Sequence, residues 1–352
     1  MATNIPPDAH TREVFYVGTE YTSDASGSET ICGQICVERL VPVAKPLTKY
    51  PIVLIPGSGR TSIDFLTTPS PNVPSPSWSS SLLASGHELY LMDPPFRGRS
   101  PWHPSHLSSG NSTHYQTFGA ASLKAAWTSS PASTQWPSPI ETGSPEFDHV
   151  MASTFPQLTD LALEQTVSQK GVAELLDKIG KPVILLAHSM GCKTAWLAAD
   201  ARPDLVKAIV AVEPAGPPFQ GRGMGGLRKE ITPFGITEAR ISFEPPGELG
   251  YKEEKAKKEG DYDVLLQDDS DGKTVRKLKN LEGTKVLVVT GGKSVHAKYD
   301  WGTAEFLRQA GVREVKHVLL GEAGIEGNGH MMMLEKNRGE IIEVVEGWVK
   351  GI

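Results

Sequence analysis

In the run PVILLAHSMGCKTAWLAAD, residues 182–200, a lone serine stands between an apolar, strand-like segment and a helix-like one, in a bend too tight for bulky neighbours. A serine hydroxyl is a weak nucleophile at neutral pH. It needs a base to take its proton, a carboxylate to fix the tautomer of that base, and amide donors where the oxyanion forms. Ser189 is the expected nucleophile. Its setting, AHSMG, departs from the G-x-S-x-G pattern of a sharp strand-to-helix turn only at Ala187, a residue small enough for the bend. The alternative is an ordinary junction with Ser189 as a helix cap.

Among ten histidines, His330 in GNGHMMMLEKN is the best placed base. It follows the last strand-like segment in a glycine-rich loop, from which an imidazole can reach across the carboxyl edge of a sheet. His296, after the strand-like run 284–290, is the rival. His188 adjoins Ser189, therefore points elsewhere, and is expected to pack against the bend. Two amides suit the oxyanion: Met190 N–H, at the start of the following helix where amides lack intrahelical partners, and Ser58 N–H, in the PGSG turn after a buried strand. This chemistry needs no metal and no organic cofactor.

Composition narrows the setting. The 352 residues are 39% hydrophobic and 22% charged, enough for a large buried core in one domain. A net charge of −6 gives no electrostatic footprint for nucleic acid. No apolar run reaches the ~20 residues that span a bilayer, so no membrane partner is expected. The first residues, MATNIPPDAHTREVFYVG, lack a basic-then-apolar leader, which favours a cytoplasmic location. Cys32, Cys36 and Cys192 form neither a metal-ligand pattern nor a disulfide framework.

The elements that would position these groups alternate. Residues 12–21 and 29–43 read as a hairpin, and 50–60 as a buried strand entering a glycine-rich turn. Residues 78–100 read as a helix, the strand 87–92 and a loop. An amphipathic helix spans 165–180, followed by the strand 183–186 and a helix over 193–201. Later strands fall within 205–218, 284–292 and 315–320, with a helix at 301–311 and a closing helix by 349. Alternation of this kind predicts an α/β fold, a mostly parallel central sheet flanked by helices, in a single domain over residues 1–352. Residues 101–150 show no sustained period, yet their interleaved tryptophans argue against disorder. Residues 101–165 and 219–280 are expected as insertions folding over the strand carboxyl ends as a cap, the charged KEEKAKKEG being solvated surface.

The segments YPIVLIPGSGRTS, MDPPFRGRSPW, GKPVILLAHSMG, DLVKAIVAVEPAGPPF and GNGHMMMLEKN, in that order, resemble the esterase-713-like branch of the α/β-hydrolase superfamily. The resemblance runs from about Arg12 to Trp348. It implies a Ser-Glu-His triad of Ser189, Glu213 and His330, and a preference for compact esters or lactones. Pro56-Gly57 stands where many such enzymes have His-Gly, and Met190 and Cys192 make the bend greasier than usual. In most enzymes of this fold the acid follows a later strand, which would give Asp300. Glu213 is preferred because it ends the strand next after the serine and Pro214 then turns the chain away. Asp300, just before WGTAEF, reads as a helix cap.

The expected function is a serine hydrolase cleaving a small or medium carboxylic ester or lactone through an acyl-enzyme. The alternative is a non-hydrolytic tailoring enzyme of a natural-product pathway, performing acyl transfer, elimination or ring closure on a polyketide-like substrate. Trp102, Trp127, Trp136, Phe219 and Phe234 are candidates to line an apolar pocket or to pack as core. The oligomeric state is left open, a homodimer included.

Overall fold

The computed structural model describes residues 5–23, 26–68, 70, 73–101, 115–127, 133–223, 226–227 and 231–352, without the side chains of 125–127, 222–223 and 226–227. Eight strands form the central sheet: β1 (His10–Val17), β2 (Ile35–Pro42), β3 (Ile52–Ile55), β4 (Leu89–Asp93), β5 (Val183–His188), β6 (Val206–Val212), β7 (Lys285–Thr290) and β8 (Val315–Leu319). Their order across the sheet is β1-β2-β4-β3-β5-β6-β7-β8. The pairings from β4 through β8 are parallel, and only β2 runs against its neighbours. The central strands are continuous apolar runs because helices cover both faces. β3 and β5 are buried at every residue.

Five helices form the outer layers: α1 (Trp78–Ala84), α2 (Leu161–Ile179), α3 (Gly191–Ala201), α4 (Asp300–Gln309) and α5 (Arg338–Val349). The local signals that set them are readable. The Asp160 side chain accepts from Leu163 N to start α2, and Gly180, in the left-handed region at φ 67°, ends it. One core layer packs α2, α3 and α4 on one face through Leu175, Trp196 and Phe306. The other packs α1 and α5 on the opposite face through Trp78, Leu82, Ile341 and Val345.

The amino-terminal hairpin forms between β1 and β2, in register from His10 opposite Pro42 to Val17 opposite Ile35. Its tip continues as a small ribbon, Glu20–Ser23 against Glu29–Cys32. Residues 101–150 hold more regular structure than their pattern suggests, with helices Ala120–Trp127 and Pro145–Ala152. Two turns are too short for a period to show, and their order comes from docking. Leu123, Trp136, Phe147 and Val150 join the core layer of α1 and α5. The charged stretch near 251–267 forms a two-stranded ribbon, Tyr251–Glu254 against Val264–Gln267, with Lys255 exposed between Glu253 and Asp263.

Candidate active site

Ser189 follows β5 directly and precedes α3, at φ 52°. A non-glycine residue in this region is strained, and a strained strand-to-helix turn lifts the serine clear of the sheet. Backbone bonds hold the turn: Ser189 N donates to Val212 O (2.9 Å), and Ala215 N donates to Ser189 O (3.1 Å). Close backbone approach explains the neighbouring glycine, since a Cβ on Gly191 would lie 2.6 Å from both Ile55 O and Pro56 O. Among the described residues the Ser189 hydroxyl makes no hydrogen bond. Cys192, also in this turn, is fully buried, and burial pushes its thiol well above the usual range.

Glu213 is the residue immediately after β6, at φ 46° and with no exposed surface. Its amide donates to Val289 O, so its position is pinned to β7. Three donors surround its carboxylate. Gly291 N reaches Oε1 (2.8 Å), while Ser294 Oγ (2.7 Å) and His330 Nδ1 (2.6 Å) reach Oε2. In the tautomer that donates through Nδ1–H to this oxygen, His330 keeps Nε2 as its acceptor nitrogen. His330 keeps 19% of its side chain exposed while Glu213 keeps none, which places the imidazole between a dry acid and the open mouth of the site.

The His330 loop is itself clamped. Glu335, buried, accepts from Gly329 N (2.7 Å) and Asn328 Nδ2 (2.6 Å), and burial pushes its carboxyl up to about 7. Gly291 lies so close to this loop that a Cβ there would meet Asn328 O at 2.7 Å. His188, buried beneath, uses Nε2 to donate to the His330 carbonyl (3.0 Å); burial above all holds its own basicity well below normal. It packs under the turn, as expected, and stays neutral.

The two expected oxyanion amides, Met190 N and Ser58 N, donate to no acceptor among the described residues. Gly57 sits against Ser189, where a Cβ would lie 3.0 Å from Ser189 Cβ. The turn is held from outside. Phe155 N donates to Gly59 O (2.8 Å), Ser58 Oγ contacts Gln157 Oε1, and the Arg60 guanidinium donates to Val150 O (2.9 Å).

Sequence reasoning gave Ser294, Glu335 and Gln157 no role. Ser294 lies in the loop GGKSVHAKYD, from which the sequence points only to His296 and Asp300. Asp300 does not cap its helix: Tyr299 holds the cap position, and the Asp300 carboxylate instead accepts from Thr290 Oγ1 (2.7 Å) and pairs with His296 Nδ1 (3.2 Å). Its burial pushes it up to about 7. His296 stacks on His330, with centroids 4.7 Å apart and planes 15° from parallel.

Glu213, His296 and His330 place donor atoms within 4.8 Å of one another, a spacing open to a metal. The two rings, however, lie stacked at an interplanar angle of 15°, and His330 Nδ1 is engaged by Glu213. The donor set fits a proton relay better than a coordination site.

Of the five aromatic residues weighed as pocket lining or core, Phe219 packs among other aromatic rings. It is buried in the core against Phe306 and Tyr251. Trp136 is likewise core, and Phe234 packs on the core edge. Trp102 and the Trp127 side chain lie outside the described residues.

Comparison with known proteins agrees with this architecture. The model of the alpha/beta hydrolase family matches residues 52–344. The chain is 38% identical over 343 residues to "Probable secreted lipase phiG" of Fungal sp. (strain ATCC 74256), covering 96% of this chain and 88% of that one. It is also similar in structure to a protein described as a novel bacterial esterase, with a TM-score of 0.66 at 18% identity, covering 97% of this chain and 95% of that one. No described helix is long and apolar enough to cross a membrane, and the fungal relative, named as secreted, lends the cytoplasmic expectation no support. The family match across most of the chain, together with this relative, places the protein in the alpha/beta hydrolase family.

Proposed function

We propose that the protein is a serine hydrolase that cleaves carboxylic esters or lactones through an acyl-enzyme. Ser189 attacks the carbonyl carbon as His330 Nε2 takes its proton. Glu213 holds the Nδ1–H and stabilises the imidazolium, and the Ser58 and Met190 amides receive the oxyanion. The proton then passes from His330 to the leaving alkoxide, and water, activated by the same nitrogen, releases the acid and frees Ser189. The observation that carries this reading is the 2.6 Å contact between His330 Nδ1 and a fully buried Glu213 at the strand end beside the strained Ser189 turn. The names of the relatives, a lipase and an esterase, support ester cleavage as the reaction class.

Segments 115–127 and 133–160 grip the Gly57–Arg60 turn and are proposed as part of a cap over the strand ends, with 219–280 as a second part. A small or medium ester, or a lactone of polyketide-like character, is the proposed substrate class. The test has two stages. A fluorophosphonate probe should label Ser189 in the wild type and not in Ser189→Ala. A panel of p-nitrophenyl esters and aromatic lactones turned over in heavy-oxygen water should then deliver one labelled oxygen to the acid. Labelling of Ser189 without incorporation would transfer the assignment to non-hydrolytic acyl chemistry.

A further inference from the structure

Two imidazole–carboxylate pairs lie face to face in this site, and only one of them is needed for the mechanism above. His330 pairs with Glu213 at 2.6 Å; His296 pairs with Asp300 at 3.2 Å; and the two rings stack at 4.7 Å and 15°. The second pair is built rather than incidental. Asp300 is fully buried and anchored by Thr290 Oγ1, which also meets His317 Nε2 at 3.0 Å. His296 N donates to Ser294 Oγ, the hydroxyl that donates to Glu213, so one short loop fixes the acid of the first pair and the ring of the second.

We infer that His296 is a positioning residue for His330. This rests on the triad reading above. The His296 face forms a flat wall on one side of the His330 ring, while His188 closes on it from another direction at 4.6 Å and takes its backbone carbonyl. A ring held by one hydrogen bond at Nδ1 can still swing about that bond. A nearly parallel ring stacked beside it restricts the swing and keeps Nε2 aimed towards the Ser189 hydroxyl. The same contact favours the transition state, because His330 gains a positive charge as Ser189 attacks, and an aromatic ring face attracts a cation. The role of Asp300 follows: it holds the His296 ring at the angle at which stacking is possible.

The test compares two replacements of similar bulk in the full chain. His296→Phe keeps a ring face, and His296→Leu fills the space without one. The readout is the rate of Ser189 labelling by a fluorophosphonate, which reports activation of the nucleophile whatever the natural substrate is. His296→Phe should label within about threefold of wild type and His296→Leu roughly tenfold more slowly, the size of one desolvated cation–ring contact. Proton NMR supplies a second readout: ring-current shifts on the His330 ring protons should persist in the Phe variant and collapse in the Leu variant. Leu labelling as fast as wild type, or Phe as slow as Leu, would overturn the inference. If the wild type is not labelled at all, the hydrolase reading falls, and the ring-current comparison alone decides whether His296 holds His330.

Discussion

The loop after β6 and the loop after β7 each bury a carboxylate against an imidazole, but on different terms. Glu213 sits at the strand end itself, pinned by its own amide to β7, and receives three donors from two other loops. Asp300 lies ten residues past the end of β7, at the first turn of α4, and receives Thr290 Oγ1 and the His296 ring. Both are fully buried. Asp300, with fewer donors to offset desolvation, is pushed up to about 7. The difference teaches that two carboxylates equally buried beside a histidine can be held on different terms, by their position relative to the strand end and by the number of donors that meet them.

The largest effect should come from removing the group both pairs would serve. Ser189→Ala should lower turnover by about 10⁴ to 10⁶ with little change in melting temperature. A variant keeping a tenth of wild-type turnover would end the covalent reading and with it the meaning of the comparison. Next, Glu213→Gln should cost roughly 10⁴-fold, because the amide can no longer fix the imidazole tautomer or stabilise its charge. Asp300→Asn should cost no more than about threefold, acting only through the orientation of the His296 ring. Steady-state kinetics on the pair decides it, and the reverse ranking would hand the role of triad acid to Asp300.

A thermal measurement sharpens the contrast. Asp300, with a folded-state value near 7, binds more protons folded than unfolded between about pH 4 and 7. Its contribution therefore stabilises the fold at low pH and is lost as pH rises through 7. Glu335, also pushed up to about 7, acts in the same direction. Asp300→Asn removes one of the two contributions, so its melting temperature relative to wild type should rise between pH 5 and pH 8. A difference that stayed flat or fell would contradict the desolvated state assigned to Asp300.

The smallest effect on selectivity is expected away from both loops. Trp136 is 8% exposed within the core layer of α1 and α5. Trp136→Ala should destabilise the fold by about 3–5 kcal/mol and slow all esters of a chain-length series alike. A selective loss for one ester class would restore Trp136 as a pocket wall.

Much of the sheet was legible in the sequence because burial on both faces leaves unbroken apolar runs, as in Val183–Leu186, whereas the helix read over 165–180 starts earlier, at Leu161, because the Asp160 cap carries no apolar period. The candidate triad positions were legible for a related reason. Each directly follows a strand or lies in the glycine-rich loop after the last one, so local pattern and chain order place it at the carboxyl edge. Tertiary structure alone decided the rest. Residues 213 and 330 meet across 117 positions of chain, and Trp78 Nε1 reaches the Arg338 carbonyl across 260. No periodicity encodes such distances. The same holds for Asp300: its place just before a helix reads locally as a cap, but the packing of α4 against β7 turns its carboxylate inward to Thr290 and His296. The sequence determined which residues stand at the strand ends, because hydrophobic pattern and turn chemistry act over a few residues. Which carboxylate faces which imidazole was decided only when the sheet brought its loops together, since that depends on the sum of many weak long-range contacts.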